Sequence, residues 1–174
     1  MKFVSYSVLL LVILFSSCSR KTDIGLFKDA NDLEAKKDFQ KSAELFESVV
    51  GQFPASAYAE SSLIHLSVLY NNELKDARLA IHTYQRFYTM FPSSSQAPTM
   101  LFLSGFVYNN ELHRFDSAKM IYETFLQKYP NHELAPSAKF ELETLGQDPF
   151  QSFKPIISES EKAADKSPKK VFKK

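Results

Sequence analysis

The sequence predicts an all-α fold, a solenoid of about three helical hairpins followed by a C-terminal capping helix. The pentapeptide YNNEL occurs at 70–74 and again at 108–112, 38 residues later. Two other landmarks share this spacing, an aromatic-Pro pair and an aromatic residue eight positions before each Pro. The pairs are Phe53-Pro54, Phe91-Pro92 and Tyr129-Pro130, and the earlier aromatics are Phe46, Tyr84 and Tyr122. Three unrelated landmarks with one period indicate a repeat protein.

The first seventeen residues, 1–17, are predicted to be a lipoprotein signal peptide. Lys2 supplies the positive start, and the apolar run at 3–15 is shorter than the roughly 20 residues that span a bilayer. The stretch LVILFSSCS, which ends on the only Cys of the chain and the Ser after it, resembles a bacterial lipobox. The resemblance implies lipidation at Cys18 and a short tether at 18–24. An ordinary secretory signal beside an unrelated Cys is the alternative.

Residues 25–146 are predicted to form the helical repeat domain. In the segment 57–71, Leu63, Leu66 and Tyr70 are spaced by three and four residues, as on one face of an amphipathic helix. Asp76 is a suitable cap for a second helix. Pro92 ends that helix, because the residue before a Pro is disfavoured in the α conformation. Each repeat is therefore a helix, a turn, a second helix and a Pro.

These positions resemble the tetratricopeptide repeat (TPR), whose pattern is W-x2-L-G-x2-Y…A-x3-F…P. Leu stands where the family has Trp, and the period is 38 instead of 34. The matching residues of the first hairpin are Leu26, Ala30, Leu33, Ser42, Phe46 and Pro54; those of the second are Leu63, Leu66, Ser67, Tyr70, Ala80, Tyr84 and Pro92; those of the third are Leu101, Ser104, Gly105, Tyr108, Ala118, Tyr122 and Pro130. A last helix at 134–146, with Leu142 packed and Glu141 and Glu143 on its polar side, would cap the repeats.

The C-terminal segment 147–174 has a different composition. From residue 151 onward it contains seven Lys and three acidic residues, a local net charge of +4. Such a Lys-rich, Pro-containing composition predicts a disordered tail. The alternative is a basic arm that binds anionic lipid, an acidic partner or the cell wall.

Neither the overall charge nor the sequence motifs indicate an enzyme. The formal net charge of +1 does not favour nucleic acid as a partner. The four His, at 65, 82, 113 and 132, form no metal-binding spacing, and no nucleophile or phosphate-loop motif is present. We therefore expect no catalytic residue, no metal site, no cofactor and no small-molecule substrate.

In the TPR family the first helix of each hairpin lines a concave surface, and the resemblance implies the same here. The positions that correspond form the candidate partner groove: Ile64, Val68, Asn71, Asn72, Phe102, Phe106, Asn109 and Asn110. Apolar side chains edged by amides suit an apolar peptide. The alternative is that Ile64, Val68, Phe102 and Phe106 belong to the core, since helical spacing alone does not separate core from groove.

The lipobox, the helix pairs ending in FP or YP, and the stretch YETFLQKYPNHELAPSAKFEL are similar to two periplasmic TPR groups. These are the BamD-type outer-membrane assembly lipoproteins and the TPR domain of the Tol-associated coordinator. The resemblance implies a scaffold that binds protein partners of the bacterial envelope. Ser19 after Cys18 implies, by analogy with lipoprotein sorting, an outer-membrane anchor that faces the periplasm. The alternative function is binding to the cell wall or an anionic surface through the basic tail, with the repeats as a spacer.

Overall fold

A computed structural model describes residues 21–147, and within this range the chain forms seven α-helices and no strand. The helices are α1 (Asp23–Ala35), α2 (Phe39–Gln52), α3 (Ala57–Val68), α4 (Ala77–Met90), α5 (Ala97–Asn110), α6 (Phe115–Lys128) and α7 (Ala135–Glu143). The predicted fold class, helical hairpins with a final single helix, is confirmed. The predictions for the signal peptide, for Cys18 and for the tail beyond residue 147 lie outside the described residues.

The described residues divide into two compact units, which meet between Ser62 and Leu63, inside α3. In the first unit α1 packs on α2. Ser42 lies at the contact, where its hydroxyl donates a hydrogen bond to the Ala30 carbonyl oxygen at 2.9 Å. Phe27 and Phe46 meet edge to face, with ring centroids 5.6 Å apart. Small residues allow the two helices to approach closely, and aromatic rings fill the remaining space.

In the second unit each helix from α4 to α7 packs on the next one along the chain. A hydrophobic cluster joins α5, α6 and α7, and its buried members are Leu101, Phe102, Ala118, Tyr122, Phe125, Ala135 and Ala138. Gly105 allows α5 to approach α6 closely, since a Cβ atom at this position would be only 2.9 Å from the Tyr122 ring. Packing between consecutive helices is the arrangement expected of a helical-repeat protein.

The turns inside the three hairpins each contain one residue in the left-handed backbone conformation. Lys37, Lys75 and His113 are 38 residues apart, and all three have positive φ angles, of 61°, 54° and 51°. In the second hairpin the segment Leu69–Glu73 is a π-helical turn. In the third, the Leu112 amide likewise donates to the carbonyl five residues earlier, at 3.1 Å. In both copies of YNNEL, the first helix therefore ends with hydrogen bonds between residues five apart, which are wider than those of an α-helix.

The aromatic-Pro positions also repeat in geometry. Phe53, Phe91 and Tyr129 end α2, α4 and α6, with φ between −125° and −132° and ψ of 54° to 56°. The residue three positions after each of these aromatics is Ser56, Ser94 or His132. Its side chain accepts a hydrogen bond from the backbone amide two residues later in the chain. Asp76 caps α4 as predicted, with its carboxylate accepting from the Arg78 and Leu79 amides. The period of 38 thus sets both ends of the second helices.

Candidate functional site

The eight candidate groove residues all lie in the second unit, on α3 and α5 or just beyond α3, but their exposure differs. Val68 and Phe106, which are 38 residues apart, are exposed by 44% and 39%. Ile64 is half-buried, whereas its counterpart Phe102 is only 8% exposed. We call Ile64, Val68 and Phe106 the apolar strip.

Phe102 belongs to the core of the second unit. Its ring centroid lies 5.7 Å from that of Tyr122 and 5.9 Å from that of Phe125, both on α6. It also stacks on Phe106, with centroids 6.5 Å apart. Phe102 and Phe106 are therefore neighbours on one face of α5. Phe102 fills the space between α5 and α6, whereas Phe106 is exposed to solvent.

The four Asn side chains make different contacts. Asn71 donates to Asn72 at 2.7 Å, and Asn110 donates to the Phe106 carbonyl oxygen at 3.0 Å. Asn109 is buried, and its amide donates to a carboxylate oxygen of Glu141 at 3.0 Å. Asn72 and Asn110, both exposed, therefore remain open to a partner, whereas Asn109 holds α7 against α5.

Glu141 has a role that the sequence did not indicate. We expected it on the polar side of the last helix, but it is half-buried and also accepts from the Tyr122 hydroxyl at 3.4 Å. Burial, together with the nearby Glu141 carboxylate, raises the pKa of Tyr122 because both disfavour the phenolate. The phenol thus stays a neutral donor, and the carboxylate joins α5, α6 and α7. A partly buried acceptor has no distinctive sequence signal.

The described residues show no arrangement typical of a metal centre. Between residues 21 and 147 no three or more His, Cys, Asp or Glu side chains are placed to hold an ion. His132 serves the turn before α7, where its Nδ1 atom accepts from the Leu134 amide at 3.1 Å. The exposed candidate residues themselves carry apolar groups, on Val68 and Phe106, and amides, on Asn72 and Asn110.

Helical hairpins with exposed first-helix residues define the chain as a helical-repeat protein, and a comparison with known families identifies it further. Residues 19–148, which are 130 of the 174, match the model of the YfiO family, described as outer membrane lipoprotein. The chain belongs to this family of outer membrane lipoproteins. No curated protein matches the sequence.

The family confirms two sequence-based predictions, the resemblance to BamD-type lipoproteins and the location at the outer membrane. The matched segment begins at residue 19, so lipidation at Cys18 stays a prediction. Within residues 21–147, no helix combines the length and the apolar character needed to span a bilayer.

Proposed function

We propose that the protein is a membrane-anchored periplasmic scaffold that binds protein partners through the apolar strip, in outer-membrane protein assembly or envelope maintenance. The observation that carries the proposal is the exposure of Val68 and Phe106 at equivalent positions of two consecutive hairpins. Large apolar side chains on a repeating surface favour a partner that follows the repeat. Membership of an outer membrane lipoprotein family supports an envelope protein as that partner.

The chemistry of the strip favours an apolar face on an amphipathic helix or an extended segment. Val68 and Phe106 supply the apolar contact, and the exposed Asn72 and Asn110 supply amide donors and acceptors beside it. Full burial of a Val or Phe side chain contributes about 1.5–3 kcal/mol. Only 44% of Val68 and 39% of Phe106 is exposed before binding. Burial of these exposed parts contributes about 1–2 kcal/mol in total, so its loss weakens binding by about tenfold.

The test is affinity capture of the full-length anchored chain from detergent-solubilised envelopes, followed by mass spectrometry. The variant Val68→Glu, Phe106→Glu places charges on the strip and leaves Phe102 intact, because a charge at Phe102 would disrupt the core. The control is Leu79→Glu, Met120→Glu, which adds the same charge at two exposed apolar side chains of second helices, 41% and 61% exposed.

We expect the wild type and the control to retain the same partners and the strip variant to lose them. Circular dichroism and thermal melting check that all three chains are folded. If the strip variant is folded and retains every partner, the apolar strip is not the binding surface. If the strip variant and the control lose the same partners, the effect is one of charge and the proposal also fails.

The Lys-rich tail provides the second candidate function, because its local net charge of +4 favours an anionic surface. Deletion of 151–174 separates the two candidates. The scaffold proposal predicts that protein partners are retained after the deletion. The surface-binding proposal predicts that sedimentation with purified cell wall or with phosphatidylglycerol vesicles is lost.

A further inference from the structure

An open pocket of about 430 Å³ lies in the second unit, beside the first residues of α4 and the turn between α5 and α6. Arg78 and Ile81 contribute from α4 and Tyr108 from α5, while Leu112 and Arg114 come from the turn between α5 and α6. We call these five residues the Arg pocket. Its volume lies within the range of about 300–1,000 Å³ that is usual for ligand sites.

The charge of the Arg pocket is not compensated by its own lining. Two of the five residues are Arg and none is acidic. Within residues 21–147, neither guanidinium group has a hydrogen bond or an ion pair, although the Arg78 backbone amide is bound to Asp76. A guanidinium group stays charged at all physiological pH values and binds a carboxylate through two parallel hydrogen bonds. The pocket therefore favours an anionic group.

The rest of the lining is apolar and partly withdrawn from water. Ile81 is buried, and Tyr108 and Leu112 are half-buried. A hydrated inorganic anion gains nothing from such walls, whereas a peptide carboxylate beside an aliphatic or aromatic side chain matches both parts of the pocket. The chain's own tail is a poor occupant, because from residue 151 it carries seven Lys and three acidic residues.

We propose that the Arg pocket binds an acidic segment of a protein partner, with a side-chain carboxylate between Arg78 and Arg114 and an adjacent apolar side chain against Ile81 and Leu112. Tyr108 follows Phe106 by two residues on α5, about 200° around the helix. The pocket and the apolar strip thus use different faces of α5, so this site can bind whether or not the strip does.

Fluorescence anisotropy of a peptide that carries a neutral dye tests the proposal on the full-length chain in neutral detergent. The probe is the capped peptide Leu-Glu-Phe-Leu, and its reference is the capped peptide Leu-Gln-Phe-Leu. Arg78→Gln, Arg114→Gln removes the two guanidinium groups. Lys119→Gln, Lys139→Gln removes two exposed positive charges elsewhere in the same unit and is the matched control.

We expect the Glu peptide to bind the wild type and the Lys control about tenfold or more tightly than the Gln peptide. The folded Arg variant should lose this difference. Equal affinity for the two peptides, absence of binding at millimolar peptide, or retained preference in the Arg variant overturns the proposal. Competition by millimolar inorganic phosphate or by phosphatidylglycerol in mixed micelles, stronger than that by unlabelled Glu peptide, also overturns it and identifies a phosphate site.

Discussion

The second and third hairpins place equivalent residues in different surroundings. The residues compared are those that precede YNNEL on the first helix and the two Asn residues of YNNEL itself. Ile64 and Asn71 of the second hairpin are half-buried, while Phe102 and Asn109 of the third hairpin are buried. Val68 and its counterpart Phe106, by contrast, are both exposed. The pair Asn72 and Asn110 is also exposed in both copies, so the same register gives two positions that are exposed in both hairpins and two positions at which burial differs.

The contacts of the third hairpin explain the difference. Tyr122 and Phe125 of α6 cover Phe102, and Glu141 of α7 accepts the hydrogen bond of Asn109. A residue's place in the repeat therefore determines which face of the helix it occupies. Its burial depends on the side chains that the following helices place against it.

The largest expected difference between the copies concerns Phe102 and Ile64. We expect Phe102→Ala to lower the free energy of unfolding by about 3 kcal/mol, because it removes a ring from a closely packed cluster. Ile64→Ala removes a half-buried side chain, and we expect a loss of about 1 kcal/mol. Urea unfolding of the full-length chain, followed by circular dichroism, measures both values. Equal losses would mean that the two positions are equally buried in solution.

A smaller difference is expected between Gly105 and its counterpart Ser67. Ser67 has a Cβ atom and a hydroxyl group that donates to the Ile64 carbonyl oxygen at 2.7 Å. A Cβ atom on Gly105 would lie 2.9 Å from Tyr122 Cε1 and 3.0 Å from Ile121 Cγ2. Tyr122 is fully buried, so a shift of its ring would disturb the packing of the core. We expect Gly105→Ala to destabilise the fold by about 1–2 kcal/mol through overpacking.

Gly51 provides the control for this substitution. It lies within α2, and a Cβ atom added there would have no neighbour within 4 Å. Gly51→Ala should therefore stabilise the protein by about 0.5–1 kcal/mol, through helix propensity alone. Thermal melting compares the two variants, and a stabilising effect of Gly105→Ala would show that α5 and α6 pack less closely in solution than in the structure.

The repeat explains why so much of this fold was predictable. The spacing of Leu63, Leu66 and Tyr70, the cap at Asp76 and the stop at Pro92 each predicted an element that the structure contains. Helix ends were less accurate, since the last helix covers Ala135–Glu143 instead of 134–146. Its expected polar side also includes Glu141, which turns toward Asn109.

The candidate site was less predictable, for a physical reason. Helical spacing places Phe102 and Phe106 on one face, but it does not determine how far the next helix extends over that face. The Arg pocket also has no local motif, because Arg78 and Arg114 come together only when α4 and α5 pack. Contacts between hairpins depend on side-chain volumes at several helices, and a single repeat pattern does not contain them.

The smallest effect tests a feature that the two YNNEL turns share. Lys75 and His113 follow the two copies and have φ angles of 54° and 51°, a conformation in which a Cβ atom is disfavoured. We expect Lys75→Gly and His113→Gly each to stabilise the fold by about 0.5–1 kcal/mol, since Gly adopts this conformation without that cost. Lys119→Gly, inside α6, is the control and should destabilise by about 1 kcal/mol. The preceding turns differ in extent: Lys75 follows the five-residue π-helical segment Leu69–Glu73, whereas His113 follows an α-helix with a single five-residue bond, from Leu112 to Val107. Similar gains in urea unfolding would therefore show that the left-handed residue acts independently of the preceding helical turn, and a gain at only one position would show that the two turns differ in strain.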